Sequence, residues 1–374
     1  MIGIVEICLA AMFHGVIQGA VLLTMPRGNK AANATLAFFV LLIVISMWNA
    51  YVGLTGLPVH YKLVNYYLWG AAFLWGPTLY LYVGTISAQF QLSRRIWIKH
   101  CALAVVLIAS QIPIHILNKN GWLTIWQLDA INIGTAILLY AQLVVYFYWC
   151  FKMLHKYEKA LKDNFSQIDK LTLKWLTRLT ILFALVIVID FLLYALTFVD
   201  DSFAGFFHYY LIAEVFCVFA IGYFSIFHQE VIFPPELDVL EPATAPLEIT
   251  VTQDLEKRLN TVMHEAHAYK KNDLRLAELA NMTGVRRQVL SQFINENLGK
   301  NYYEFVNELR VTAAAAELEA DDKANIEKVA FDVGFSNRVS FYNAFKKLKG
   351  QTPTEYRNRY RDGTVGSKRE QTTA

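Results

Sequence analysis

Hydrophobic and polar positions change their pattern once along the chain. Up to Phe233 the sequence is a series of long apolar runs with short polar breaks. After Pro234 the apolar residues fall back to the three-and-four spacing of amphipathic helices. Seven runs reach the length of about 20 residues that a membrane-crossing helix needs. They are Ile2–Thr24, Ala34–Leu54, Leu63–Ile86, Ile96–Leu117, Leu128–Phe151, Leu176–Val199 and Phe203–Phe227. Trp48, Tyr51, Tyr66, Trp122, Trp126 and Trp149 stand near their ends, as interfacial belts require. Gly76-Pro77 in the third run predicts a kink.

The second part contains two repeats of one design. In 274–298, Leu276, Leu279 and Ala280 are followed after Gly284 by Val289, Leu290, Phe293 and Ile294. In 326–348, Val329, Ala330 and Val333 are followed after Gly334 by Phe341 and Phe345. Each is two helical stripes around a glycine turn, the pattern of a helix-turn-helix. Ser336 is the expected N-cap of the last helix, whereas Arg286, at the matching place in the first repeat, cannot accept helix N–H groups. A linking helix is expected near Asn307–Leu318. The fold class is therefore all-α: a seven-helix transmembrane bundle at 1–228, a Pro/acidic linker at 229–250, and a tandem helix-turn-helix domain at 251–374. A polar helix from about Gln253 to Tyr269 opens that domain.

Composition agrees with the division. Only 17% of residues are charged, against about 25% in soluble domains. The first, third and fifth breaks between runs carry ten Lys and Arg, from Arg27 to Lys174, and Lys99 just inside the fourth run makes eleven; the second and fourth carry only Lys62 and Lys119, and the sixth none. Basic loops stay in the cytoplasm. This predicts an outside N-terminus, a multi-pass protein of the cytoplasmic (inner) membrane, and the tandem helix-turn-helix domain in the cytoplasm. Cys8, Cys101, Cys150 and Cys217 are scattered in apolar runs, which argues against a disulfide framework or a zinc site. The first run lacks a basic n-region and is long, so no cleaved signal peptide is expected.

Ionisable groups deep in the runs are few, and each is costly there. Glu6, His14, Asp190, His208 and Glu214 are candidates for a membrane sensor pocket. Two readings stay open: acids hydrogen-bonded between helices, or a pocket open to the outside that binds a small cationic ligand or senses protons. His264-Glu-Ala-His267 has its histidines three apart rather than four, the wrong spacing for a zinc-hydrolase helix. No metal, cofactor or catalytic constellation is expected, so the chain is read as a non-enzyme.

The run "IEKVAFDVGFSNRVSFYNAFKKLKGQTPTEYR" follows the pattern I-x-x-V-A, G-F-S, F-x-x-x-F-K-K, G-x-T-P-x-x-Y-R, and "LSQFINENLGKNYYEFVNELR" matches a first unit and linking helix. The tandem resembles the DNA-binding domain of the AraC/XylS family. "WGPTLYLYVG" and "IGYFSIFHQEVIFPP" are similar to members with a seven-helix membrane sensor. The resemblance implies a one-component transcription regulator of double-stranded DNA, working with RNA polymerase, commonly as a homodimer, here with the lipid bilayer as anchor. A transporter or receptor with an autoregulatory DNA-binding tail is the alternative. In the second unit the outward residues Arg338, Val339, Tyr342 and Asn343 are expected to read bases. By position in the family pattern, Arg287, Gln288, Ser291 and Gln292 do so in the first. Lys300, Lys346, Lys347, Arg357 and Arg359 are expected on phosphates.

Overall fold

The computed structural model describes residues 2–26, 28–55, 70–169, 171–200, 207–227, 249–321 and 323–360. They are helical almost throughout. The chain divides into two compact units: Met1–Tyr157 with Leu173–Glu236, and Glu158–Thr172 with Leu237–Ala374. The second unit thus takes in fifteen residues that hydropathy had placed in the membrane half.

The first unit contains α1 (Ile2–Thr24), α2 (Lys30–Thr55), a 3-10 turn at Gly70–Leu74, α3 (Trp75–Ile86), α4 (Arg94–Lys119), the start of α5 (Ile125–Asn164), α6 (Lys174–Thr197) and α7 (Phe207–Phe227). α1 packs along α2 and α7. Gly15 permits the first of these contacts, because a Cβ there would lie 2.5 Å from Val44. Small residues are what let membrane helices approach closely. Large apolar side chains cover the outer faces: Val106 is 63% exposed and Val144 68%. Such surface is unusual on a soluble protein and suits lipid.

Among the described residues, five helices are long and apolar enough to cross a membrane: α1, α2, α4, α5 and α6. The sequence predicted seven. The third expected run does not form one helix, because α3 starts only at Trp75 after a 3-10 turn, with Pro77 in its first turn. Pro is best tolerated at that place in a helix. The twelve residues of α3 span about 18 Å, less than a bilayer core of about 30 Å; Leu63 to Trp69 lie outside the described residues. Gly76 lets α3 meet α5, since a Cβ would fall 2.9 Å from the Tyr146 ring. In α7 the apolar stretch is Ile212–Ile221, too short alone, and Phe203 to Phe206 lie outside the described residues. So does most of the expected 229–250 linker.

The second unit is built from α8 (Ile249–Asn260), a π turn at Thr261–Glu265, a 3-10 turn at Ala268–Lys270, α9 (Leu276–Thr283), α10 (Arg287–Gln292) extended by a π turn at Phe293–Asn297, α11 (Tyr302–Ala320), α12 (Ile326–Asp332), α13 (Arg338–Lys349) and a last helix, α14, at residues 353–360. The expected polar helix thus changes from α to π hydrogen bonding after Asn260, and left-handed His267 ends its helical path. α11 serves two cores. Its Tyr302 and Val306 join Leu255, Leu279, Leu290 and Phe293; its Val311, Ala314 and Leu318 join Val329, Phe335, Phe341 and Phe345.

Candidate nucleic-acid interface

Both expected helix-turn-helix units form. In the first, α9 ends at left-handed Gly284 and α10 begins at Arg287. Arg286 is extended and its side chain makes no cap, so the start of α10 lacks the usual acceptor. In the second, Gly334 (φ +100°) makes the turn between α12 and α13. The N-cap there is Asn337 rather than Ser336: Ser340 N–H donates to Asn337 Oδ1 at 2.8 Å. Ser336 stands one residue too early to reach that amide. α11 is fixed by an Asn301/Glu304 capping box, and α12 by Asn325.

The exposed face of α13 carries Arg338, Val339 and Asn343; Tyr342, expected to be outward, is half-buried because its ring packs against the second core. Val339 is 69% exposed, and Arg338 and Asn343 are exposed as well. Arg338 donates to Tyr342 Oη at 3.3 Å with its guanidinium 5.0 Å over the Tyr342 ring. Tyr342 Oη in turn meets Thr354 at 3.1 Å. This stacking aligns a planar fork that can meet guanine in a bidentate manner. On α10, Gln288 is exposed and Arg287 half-buried. Ser291 accepts from Asn295 at 3.3 Å. Gln292 departs from expectation: it is buried, 8% exposed, and donates to Glu296 at 2.9 Å. Its amide is tied along the helix to Glu296, one turn on, which takes it from the bases.

Of the expected phosphate residues, Lys346 and Arg359 are exposed. Lys347 is paired with Glu304 at 2.9 Å and Lys300 with Glu308. That bond from Lys347 holds the Glu304 carboxyl below its usual range. Arg357 donates to the Ala324 carbonyl at 2.9 Å and so braces α14. The sequence pattern assigned no role to Arg310, Asn337, Ser340 or Asp169. Arg310 is fully buried in α11 and donates to the carbonyls of Tyr269 (2.8 Å), Lys271 (2.7 Å) and Asn272 (3.3 Å). Burial lowers its pKa to about 10, so it stays charged at neutral pH.

In the first unit, Glu214 is buried and accepts from Ser46 Oγ at 2.9 Å. Asp190 accepts from Tyr140 Oη at 2.7 Å. These are separate pairs. His14 stacks on Phe219 at 4.4 Å, Glu6 is exposed, and the side chain of His208 lies outside the described residues.

Residues 279–359 match a family of the description "Helix-turn-helix domain", and the C-terminal part of the chain carries an AraC/XylS-type domain of that kind. Uncharacterized HTH-type transcriptional regulators of Staphylococcus aureus strains COL and MSSA476 are each 33% identical over 100 residues, 27% of this chain. The matched stretch covers only 13% of each relative's length. A protein named histidine kinase P4 from Formosa agariphila is 30% identical over 118 residues, 31% of this chain and 8% of that protein. A solved structure of a Listeria innocua protein with unknown function is 27% identical, covering 26% of this chain and 92% of that one, with a TM-score of 0.24.

Proposed function

We propose that the protein is a sequence-specific, DNA-binding transcription regulator anchored in the cytoplasmic membrane. The observation that carries the reading is the α13 face, where Arg338, Val339 and Asn343 stand outward at the start of a capped helix and half-buried Tyr342 backs Arg338. Such a helix reads base edges with its N-terminal residues. α10 supplies a second reader through Arg287, Gln288 and Ser291. α11 joins the two helix-turn-helix units, which could then reach successive major grooves, roughly 34 Å apart on one DNA face. Lys346 and Arg359 supply phosphate contacts.

The apolar helices anchor this domain to the lipid bilayer, with the N-terminus outside. An outer-face or membrane signal, received around Asp190 or Glu214, biases promoter binding and thereby RNA polymerase. A homodimer would place two such tandems on one operator. The test is selection from a random pool of DNA duplexes by the purified full-length protein in lipid nanodiscs. Recovery of one common sequence supports the reading; recovery of a pool without sequence preference contradicts it.

A further inference from the structure

The segment after α5 is built into the DNA-reading unit. Ser166 is buried, and its N–H and Oγ both donate to the Leu274 carbonyl, at 3.3 and 2.7 Å. Arg310 donates to Ser166 Oγ at 3.3 Å, and Asn307 to the Ser166 carbonyl at 3.5 Å. Phe165 bridges to Arg275, whose guanidinium lies 5.6 Å over its ring. Gln167 donates to the Gly334 carbonyl at 3.3 Å. Asn337 Nδ2, at 3.4 Å, and Ser340 Oγ both donate to Asp169 Oδ2. One short stretch therefore touches the first helix-turn-helix, the linking helix and the second helix-turn-helix.

The two ends of this stretch differ. Ser166 and Ile168 are buried, whereas Asp169 is exposed, its carboxylate taken by Asn337 and Ser340 and its backbone carbonyl accepting from Thr172 Oγ1 at 3.3 Å. Asn337 caps α13 and Ser340 lies in its first turn, beside Arg338 and Val339. Small polar donors at a helix N-terminus are groups that bind DNA phosphate. Asp169 presents to them a carboxylate, with the charge sign and acceptor oxygens of a phosphodiester. It also sets a negative charge within one turn of the base-reading residues.

We propose that Asp169 is an internal stand-in for a DNA phosphate, so that the docked 165–169 segment holds the second reading helix in a low-affinity state. The inference rests on the DNA-reading function proposed above. Incoming DNA and Asp169 compete for Asn337 and Ser340. α5 continues unbroken to Asn164, one residue before the segment, so a turn or shift of that helix is delivered to Asp169 through the anchored Ser166. This supplies a route by which a membrane signal sets DNA affinity without a separate messenger.

The test uses full-length protein in nanodiscs and two duplexes of equal length, one chosen by pool selection with the wild type and one of random sequence. Asp169→Asn keeps the size of the side chain and removes its charge. It should bind both duplexes about tenfold more tightly at low salt, the gap closing as salt rises. Gln167→Ala, which frees the same end but keeps the carboxylate, should shift affinity the same way by a smaller factor. Hydrogen exchange at 167–172 should rise on adding DNA to the wild type. Wild-type binding with equal or weaker binding by Asp169→Asn overturns the inference and makes the segment a scaffold. Absence of DNA binding by both proteins overturns the DNA-reading function, and this inference with it.

Discussion

Arg310 Nε donates to the carbonyl of Tyr269 at 2.8 Å, tying the middle of the linking helix to the turn that precedes the first helix-turn-helix. The same guanidinium also serves Lys271, Asn272 and Ser166. A planar fork with several donors can satisfy diverging carbonyls at once, which a lysine cannot.

Arg310→Ala should therefore destabilise the second unit by about 3–4 kcal/mol, through unsatisfied carbonyls and a cavity. Arg310→Lys should recover only part of this. Hydrogen exchange of the α11 amides in the full-length protein reads the loss. Unchanged protection in Arg310→Ala would remove the residue from the account of the fold.

The two turn glycines should respond differently to alanine. A Cβ on Gly334 would sit 2.7 Å from the backbone oxygens of Tyr269 and Lys270, in addition to its positive φ. Gly334→Ala should cost about 3 kcal/mol. At Gly284 the nearest atom is the end of the flexible Arg258 side chain at 3.5 Å, so Gly284→Ala should cost only the left-handed backbone penalty, about 1 kcal/mol. Thermal unfolding of the two variants side by side measures the difference, and equal losses would contradict it.

The Lys347–Glu304 pair joins α13 to the linking helix α11. Glu304 has a lowered pKa in the folded protein, chiefly through its bond from Lys347. Its stabilising contribution is thus present above the ordinary carboxylate pKa and is lost as pH falls through the depressed one. Both groups are substantially exposed, so the pair contributes about 0.5 kcal/mol. Lys347→Met should abolish that acid-side contribution and reduce the salt dependence of DNA binding little, because this lysine is already paired. A drop in the salt slope by about one would instead make it a phosphate contact.

On the reading face, Arg338→Ala should relax specificity at one base position by about 1–3 kcal/mol, whereas Lys346→Ala should weaken all sequences alike and lower the salt slope by about one. Binding to a panel of single-base operator variants separates the two. A uniform loss from Arg338→Ala would assign that residue to phosphate.

The reading unit was largely legible in the sequence, because glycine turns and apolar stripes at Leu276–Ile294 and Val329–Phe345 carry most of its packing. The third membrane run was not. Hydropathy sees Leu63–Ile86 as one stretch, while Pro77 restricts the helix to the residues after Leu74. Arg310 lay inside a recognised motif, yet a charged residue on a helix reads as solvated unless its carbonyl partners are known. The 165–169 segment left still less trace. It docks mainly through backbone carbonyls of Leu274 and Gly334 and through single polar side chains, and none of these makes a periodic pattern. Ser336 and Asn337 are both good caps, and only the backbone path decides between them.

The central claim is that α13 reads sequence in the cell. The most direct measurement is genome-wide crosslinking of the full-length protein to DNA in its own cells, beside an Arg338→Ala/Asn343→Ala double variant. The account predicts a few enriched promoters for the wild type, lost in the variant at equal protein level. Matching profiles for the two proteins, or no enriched site in either, would contradict it.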